Sequence, residues 1–275
     1  MSDGVEYLHS TLWEETAEPD NAFAAAACFC HGYDVYGDLL GKASWSEYLY
    51  LLLRGNRPTS GQAQLLENLA VALANAGPRD PSINAAMNGG AGGSTHASCL
   101  MAALAVGAGQ LGGAREVFLC VEYWQQCGAD LDQWRERLRH QPDDARVDVW
   151  SAPEHPPGFD PHGASCATPV RQTLRALASL SSGSALPWLE KNRCELESRA
   201  SHPLAFAGVA AAAFFDLGLS ADQAEMLYLL LRLPGAAVHA LEQEQLGWRK
   251  FPFFRDAIVL TDDPGPAIAR GSSDE

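Results

Sequence analysis

Three times along this chain a serine or threonine is followed, three residues on, by a glutamate or glutamine at the head of a leucine-rich run. Ser44 and Glu47 precede Tyr48–Arg54, which stops at Gly55; Thr59 and Gln62 precede Leu65–Ala76, which stops at Gly77; Ser220 and Gln223 precede Ala224–Leu233, which stops at Pro234-Gly235. In each case the side chains satisfy amides that a helix start leaves without partners, and the glycine or proline ends the run. This punctuation commits the chain to helices. Apolar periodicity adds Ala24–Cys30, His96–Gly107, Ala114–Gln126, Leu131–His140, Pro169–Leu180, Ala185–Glu197, Leu204–Leu217 and Ala236–Leu246. Val147–Trp150 and Ala257–Leu260 are the only strand candidates, and both are short. The expected class is all-α.

Three stretches interrupt the pattern. Met87–Thr95 is glycine-rich, Gln141–Thr168 is long with repeated prolines, and Asp262–Glu275 is a polar segment expected to be a flexible tail. The expected organisation is a large helical domain from 1–127 and 203–261, with a smaller helical domain at 128–202.

A net charge of -15 argues against nucleic acid and against anionic lipid surfaces. A locally basic pocket for a small anion is compatible with it. The longest apolar run, Leu204–Phe215, is too short to cross a bilayer. Seven cysteines in no disulfide pattern, and no signal-like start, fit free thiols in the cytoplasm. Cys28-Phe29-Cys30-His31 lacks the second ligand pair of a structural zinc site, so no metal is expected. Gly89–Thr95 is followed by no lysine and is not a P-loop, and no nucleophile elbow appears.

Four segments, in order, resemble the citrate synthase superfamily and its short citryl-CoA-lyase-like branch. They are Gly32-Tyr33-Asp34 with the helix ending at Gly55 and Arg57-Pro58-Thr59; Ala74-Asn75-Ala76-Gly77-Pro78 with Leu111-Gly112-Gly113-Ala114; Pro157-Gly158-Phe159; and Ala207 through Asp216-Leu217-Gly218 to Leu231-Arg232-Leu233-Pro234-Gly235 and His239-Ala240-Leu241-Glu242. The resemblance covers roughly residues 32 to 250 and implies a large and a small helical domain flanking a cleft.

It also implies a Claisen-type condensation or its reversal, on a CoA thioester and an oxo-acid, with no covalently held cofactor. That chemistry needs a positioned base and a preorganised donor at the enolate oxygen. The position matching the family's basic aspartate is Ala207, and no acid lies between Ala200 and Phe215. A family histidine is replaced by Ala76, with Asn75 beside it as a hydrogen-bond donor. The histidine that many citrate synthases carry before the GGA turn is absent here, as it is in citryl-CoA lyases.

His162 matches a family histidine after one inserted residue, and its spacing to Arg171 equals that to the family's carboxylate-binding arginine. Arg232 is a further anion-ligand candidate, as is Arg249 with Lys250 beside Trp248; each also reads as an ordinary helix-end or surface cation. Two functions stay open: a pseudoenzyme that binds a CoA thioester, and an active lyase or acyl-CoA transferase with a rearranged site. The family resemblance also implies a homodimer, packed through small-residue helices at Ala102–Gly109 and Ala210–Ala213.

Overall fold

The computed structural model describes residues 9–139 and 155–251. The strand candidates Val147–Trp150 and Ala257–Leu260 and the segment 262–275 lie outside the described residues. Among the described residues ten α-helices form the body. They are α1 (Trp45–Arg54), α2 (Ser60–Leu73), α3 (Pro81–Ala91), α4 (His96–Gly107), α5 (Ala114–Cys127), α6 (Leu131–Arg139), α7 (Thr168–Leu180), α8 (Ala185–Ala200), α9 (Phe206–Asp216) and α10 (Ala221–Leu246). All three capping boxes form, on α1, α2 and α10. Gln223 also donates through Nε2 to Leu53 O at 2.6 Å, tying the start of α10 to the end of α1.

The N-terminal region corrects the helix expected over Ala24–Cys30. Strand β1 (Trp13–Glu18) pairs antiparallel with β2 (Asn21–Cys30), and the two-residue β3 (Tyr33–Asp34) completes a three-stranded sheet. Alanine favours helix only weakly. Here Pro19, Asp20 and Asn21 turn the chain back, and the cross-strand ladder outweighs that preference. Cys28 and Cys30 therefore share one face of a strand, where a helix would have pointed them apart; both are buried.

Two further boundaries differ from the sequence reading. Met87–Ala91 belongs to α3, whose start was legible as Asp80 capping and Pro81 in the first turn. The expected pair of helices around Pro234 is one helix. Proline removes an intrahelical donor, and the next amide, Gly235 N, donates to Ala74 O at 2.7 Å outside the helix. α10 continues through the defect because a neighbouring carbonyl takes the displaced amide.

By length and composition α10 is also apolar enough to cross a membrane. Within this fold it packs against α2, α3, α4, α5 and α9 and carries the buried Arg232. One apolar cluster joins α1, α2 and α5 through α10, with Trp124, Trp134 and Trp188 edge-to-face at its centre. A smaller cluster holds Ile83, Ala86, Cys99, Ala103, Ala236 and Ala240 between α3, α4 and the second half of α10. The crossing there is very close: a Cβ on Gly90 would lie 2.3 Å from Ala240 O. A Gly90→Ala variant is expected to lose about 1–3 kcal/mol, because backbone rather than a flexible side chain must move. The urea midpoint of the variant against wild type measures it.

Candidate functional site

Two turns and one carboxylate organise the region that the family motifs mark. The first turn, Leu111–Gly113, joins α4 to α5; the second, Pro156–Phe159, leads toward α7. Glu116, on the first turn of α5 and 2% exposed, reaches both. One carboxylate oxygen accepts from Gly158 N at 2.7 Å and the other from Gly112 N at 2.5 Å. Gly158 has φ +89, and a Cβ there would meet Cys120 Sγ at 2.9 Å and Gly208 Cα at 3.0 Å, so only glycine fits. The turn is fixed from its other side as well. Ala205 N donates to Gly158 O at 2.9 Å, and Asp160 N donates to Pro203 O at 2.8 Å.

Burial pushes the Glu116 carboxyl up to about 7. The two glycine amides oppose that rise, and nearby Asp160 adds to it. His155, 3% exposed, places Nε2 3.9 Å from the Glu116 carboxylate, too far for a hydrogen bond. Burial, with His202 next, lowers the His155 imidazole. A salt bridge would move both groups the opposite way. The two groups therefore do not form an ion pair, and of the two the carboxyl holds its proton to the higher pH.

Arg232 lies on the other side of the first turn. Its guanidinium donates to Gly112 O at 3.1 Å and to Asp80, and it sits over the Tyr228 ring at 4.9 Å. Asp80 in turn caps α3 through Ser82 N at 2.9 Å. One arginine thus ties α10, the α3 start and the GGA turn together, and its donors are engaged internally. Three residues further on, Gly235 packs against Asn75. Asn75 Oδ1 accepts from Gly77 N at 3.0 Å and faces His239 Nε2 at 3.1 Å, which leaves the amide nitrogen as the atom available to a ligand. His239 Nδ1 has no hydrogen-bond partner among the described residues; Glu242 lies 3.4 Å away without hydrogen-bond alignment.

The other candidates are more open. His162 is exposed and its backbone amide donates to Asp160 Oδ1 at 2.9 Å. Arg171, exposed in the first turn of α7, donates to Thr168 Oγ1 at 2.9 Å. Arg249 stacks on Trp248 beyond the end of α10, about 20 Å from Arg232 by helical rise. Arg232 thus lies on α10 and Asn75 on the loop packed against Gly235 of that helix, His162 lies just past the second turn, and Arg249 stands apart.

Ala207 is buried beside Gly208 against that second turn. Asp216, at the end of the same helix, caps α8 by accepting from Ala185 N at 2.8 Å and Leu186 N at 3.0 Å. Asp160 stays half-buried in the loop. Glu116 and Asp80 were missed by the sequence reading. The signal for Glu116 was present: an acid immediately before the apolar run Val117–Val121, just after the GGA turn. Among the described residues no group of three or more His, Cys, Asp or Glu side chains is placed to hold a metal.

An Arg232→Met variant leaves Asp80 without its counter-charge and Gly112 O without its donor. It is expected to lose about 3 kcal/mol, read from the urea midpoint. A midpoint unchanged from wild type would show that the guanidinium is not a structural tie and is free for a ligand.

No family model and no curated protein matches the sequence. Solved structures do. Citryl-CoA lyase from Hydrogenobacter thermophilus superposes with a TM-score of 0.73 at 17% identity, over 96% of this chain and 98% of that one. ATP citrate lyase from Methanothrix soehngenii, in complex with citrate and coenzyme A, matches with a TM-score of 0.69 at 16% identity. It is covered over 94% of this chain but 42% of its own. A variant of Methanosaeta concilii ATP citrate lyase, in complex with (3S)-citryl-CoA, gives a TM-score of 0.69 at 14% identity over the same shares. With nearly the whole of both chains superposed on the first of these, this protein has the fold of citryl-CoA lyase.

Proposed function

We propose that this chain binds a CoA thioester and an oxo-acid beside the two glycine turns, and that it performs the standard condensation weakly or not at all. The observation that carries the reading is the contrast at the second turn. Its backbone is held in a left-handed, glycine-only conformation by hydrogen bonds from Gly158 to Glu116 and Ala205 and from Asp160 to Pro203, while the adjoining position that should carry a base is the buried Ala207. A maintained scaffold with a missing proton acceptor fits retained binding and lost chemistry. Loss of a general base costs roughly 10²–10⁴ in rate. Asn75, Arg171 and His162 are the side chains proposed to meet the anionic ligand, with Arg249 a candidate for the phosphates of CoA.

The relatives in fold support the ligand class, since the two ATP citrate lyases were seen with citrate and coenzyme A and with citryl-CoA. The second reading, an active lyase or acyl-CoA transferase with a rearranged site, is favoured by one feature: Asp160 and the exposed His162 lie two residues apart on one loop, where the His162 backbone amide donates to Asp160 Oδ1.

The small helical domain at 128–202 would close over the ligand. Residence in the cytoplasm is proposed from the free thiols. A homodimer is also proposed, now through α4 alone. Ala210–Ala213 are wholly buried within the chain and cannot meet a partner, whereas α4 is apolar all round and still exposes Met101 and Val106.

Coenzyme A or oxaloacetate at a hundredfold its dissociation constant should stabilise the native state by about 2.7 kcal/mol. In a chain of this size that raises the melting temperature by roughly 5 °C or more. No rise with either compound would sink the ligand reading. Thiol release from acetyl-CoA plus oxaloacetate, with citryl-CoA cleavage alongside, separates the two functions. The proposal expects silence in both. Turnover that disappears in His162→Ala would establish the active alternative. Sedimentation at micromolar concentration should give a dimer, and a Met101→Glu chain should run as a monomer.

A further inference from the structure

We propose that Glu116 is a proton-sensitive clamp that sets the geometry of the two turns and so regulates anion binding at the site they flank. The regulatory half rests on the ligand reading above; the clamp itself does not. Each oxygen of this carboxyl accepts one backbone amide, from Gly112 at 2.5 Å and from Gly158 at 2.7 Å. In the ionised state both bonds are charge-assisted. Protonation removes that charge assistance and turns one oxygen into a hydroxyl, a weaker acceptor, so the amide bonded to it is held less tightly. The two turns are remote in sequence and Glu116 bridges them directly, so a single proton alters their relation.

The surroundings make the switch accessible. His155 lies beside the carboxyl, and the half-buried His202 meets the His155 ring edge-to-face at 6.2 Å, leading from the interior toward solvent. Other titratable or charged groups face Glu116 from each packed element: Asp160 from the second turn, Cys120 from α5, and Tyr228 with Arg232 and, beyond it, Asp80 from the α10 side. Burial pushes the thiol of Cys120 up, and burial likewise pushes the Tyr228 hydroxyl up to about 12, so neither titrates near neutrality. The carboxyl, at about 7, is the group that changes state in this range, with the lowered His155 following at more acid pH.

The linkage has a definite sign. The folded value of Glu116 lies above that of a free glutamate. Its contribution to stability is therefore fully present below about 4.5 and is lost as pH rises through about 7. The protonated clamp is the more stable one and the ionised clamp the better ordered one. A Glu116→Gln chain mimics the protonated state permanently, with one acceptor and one amide hydrogen where two acceptors stood.

The test follows the amide protons of Gly112 and Gly158 by NMR from pH 5.5 to 8.5, with oxaloacetate as probe because both its carboxylates stay ionised over that range. In wild type both amides should shift together with a midpoint near 7, and the dissociation constant of oxaloacetate should change with the same midpoint. In Glu116→Gln both should be flat. Amides that do not titrate in wild type overturn the clamp, and that measurement needs no variant, so poor folding of Glu116→Gln leaves it standing. Titrating amides with pH-independent oxaloacetate binding overturn the regulation. Titrating amides with no oxaloacetate binding at any pH uphold the clamp and reject the ligand reading.

Discussion

The hydrogen bond from Gly235 N to Ala74 O is the contact on which much of this architecture depends. Proline at 234 should end a helix. The displaced amide finds a carbonyl on the loop after α2, and α10 runs on for another three turns. That continuity lets a single helix touch α2, α3, α4, α5 and α9. It also puts Arg232, Gly235 and His239 along one line, from which they fix the GGA turn, the Asn75 loop and the start of α3. A helix broken at Pro234 would hold the first of these and release the second.

The buried polar groups follow a common logic. Arg232, Glu116 and Asp216 each spend their capacity on backbone groups at turns or helix starts, not on a partner side chain alone. Charged groups are costly to bury, and each has several partners to offset that cost. The outcome is a set of rigid turns around a surface that is otherwise built of alanine and leucine. In the same way the Asp216 carboxylate is committed to the amides that open α8.

Much of the helical plan was legible because capping boxes and terminating glycines are local signals; α4 was read to the residue and α5 and α7 to within one. The errors had non-local causes. Ala24–Cys30 became a strand because Trp13–Glu18 pairs with it, and nothing inside the segment records its partner. Pro234 failed to end a helix because of a carbonyl some 160 residues away in sequence. Glycines at 89 and 90 lie inside α3 because Cys99 and Ala240 approach too closely for any larger residue, a packing need that resembles a loop in composition. The candidate site divided in the same way. Motif order located the two turns, but that Glu116 joins them depends on a contact spanning 42 residues.

The β1–β2 hairpin has a different bearing on the molecule. β1 is exposed along its whole length, Phe23 is fully exposed, and β2 becomes buried only from Cys28 onward. Little free energy connects this ribbon to the helical body, so its sequence can drift, lengthen or be cut with small effect on folding. Its open edges are the part of the chain most able to pair with another strand, and Glu14, Glu15 and Glu18 along β1 set like charges against the approach of a second copy. The helical body is therefore held by packing, while the charges along β1 keep the ribbon's edge apart from other strands.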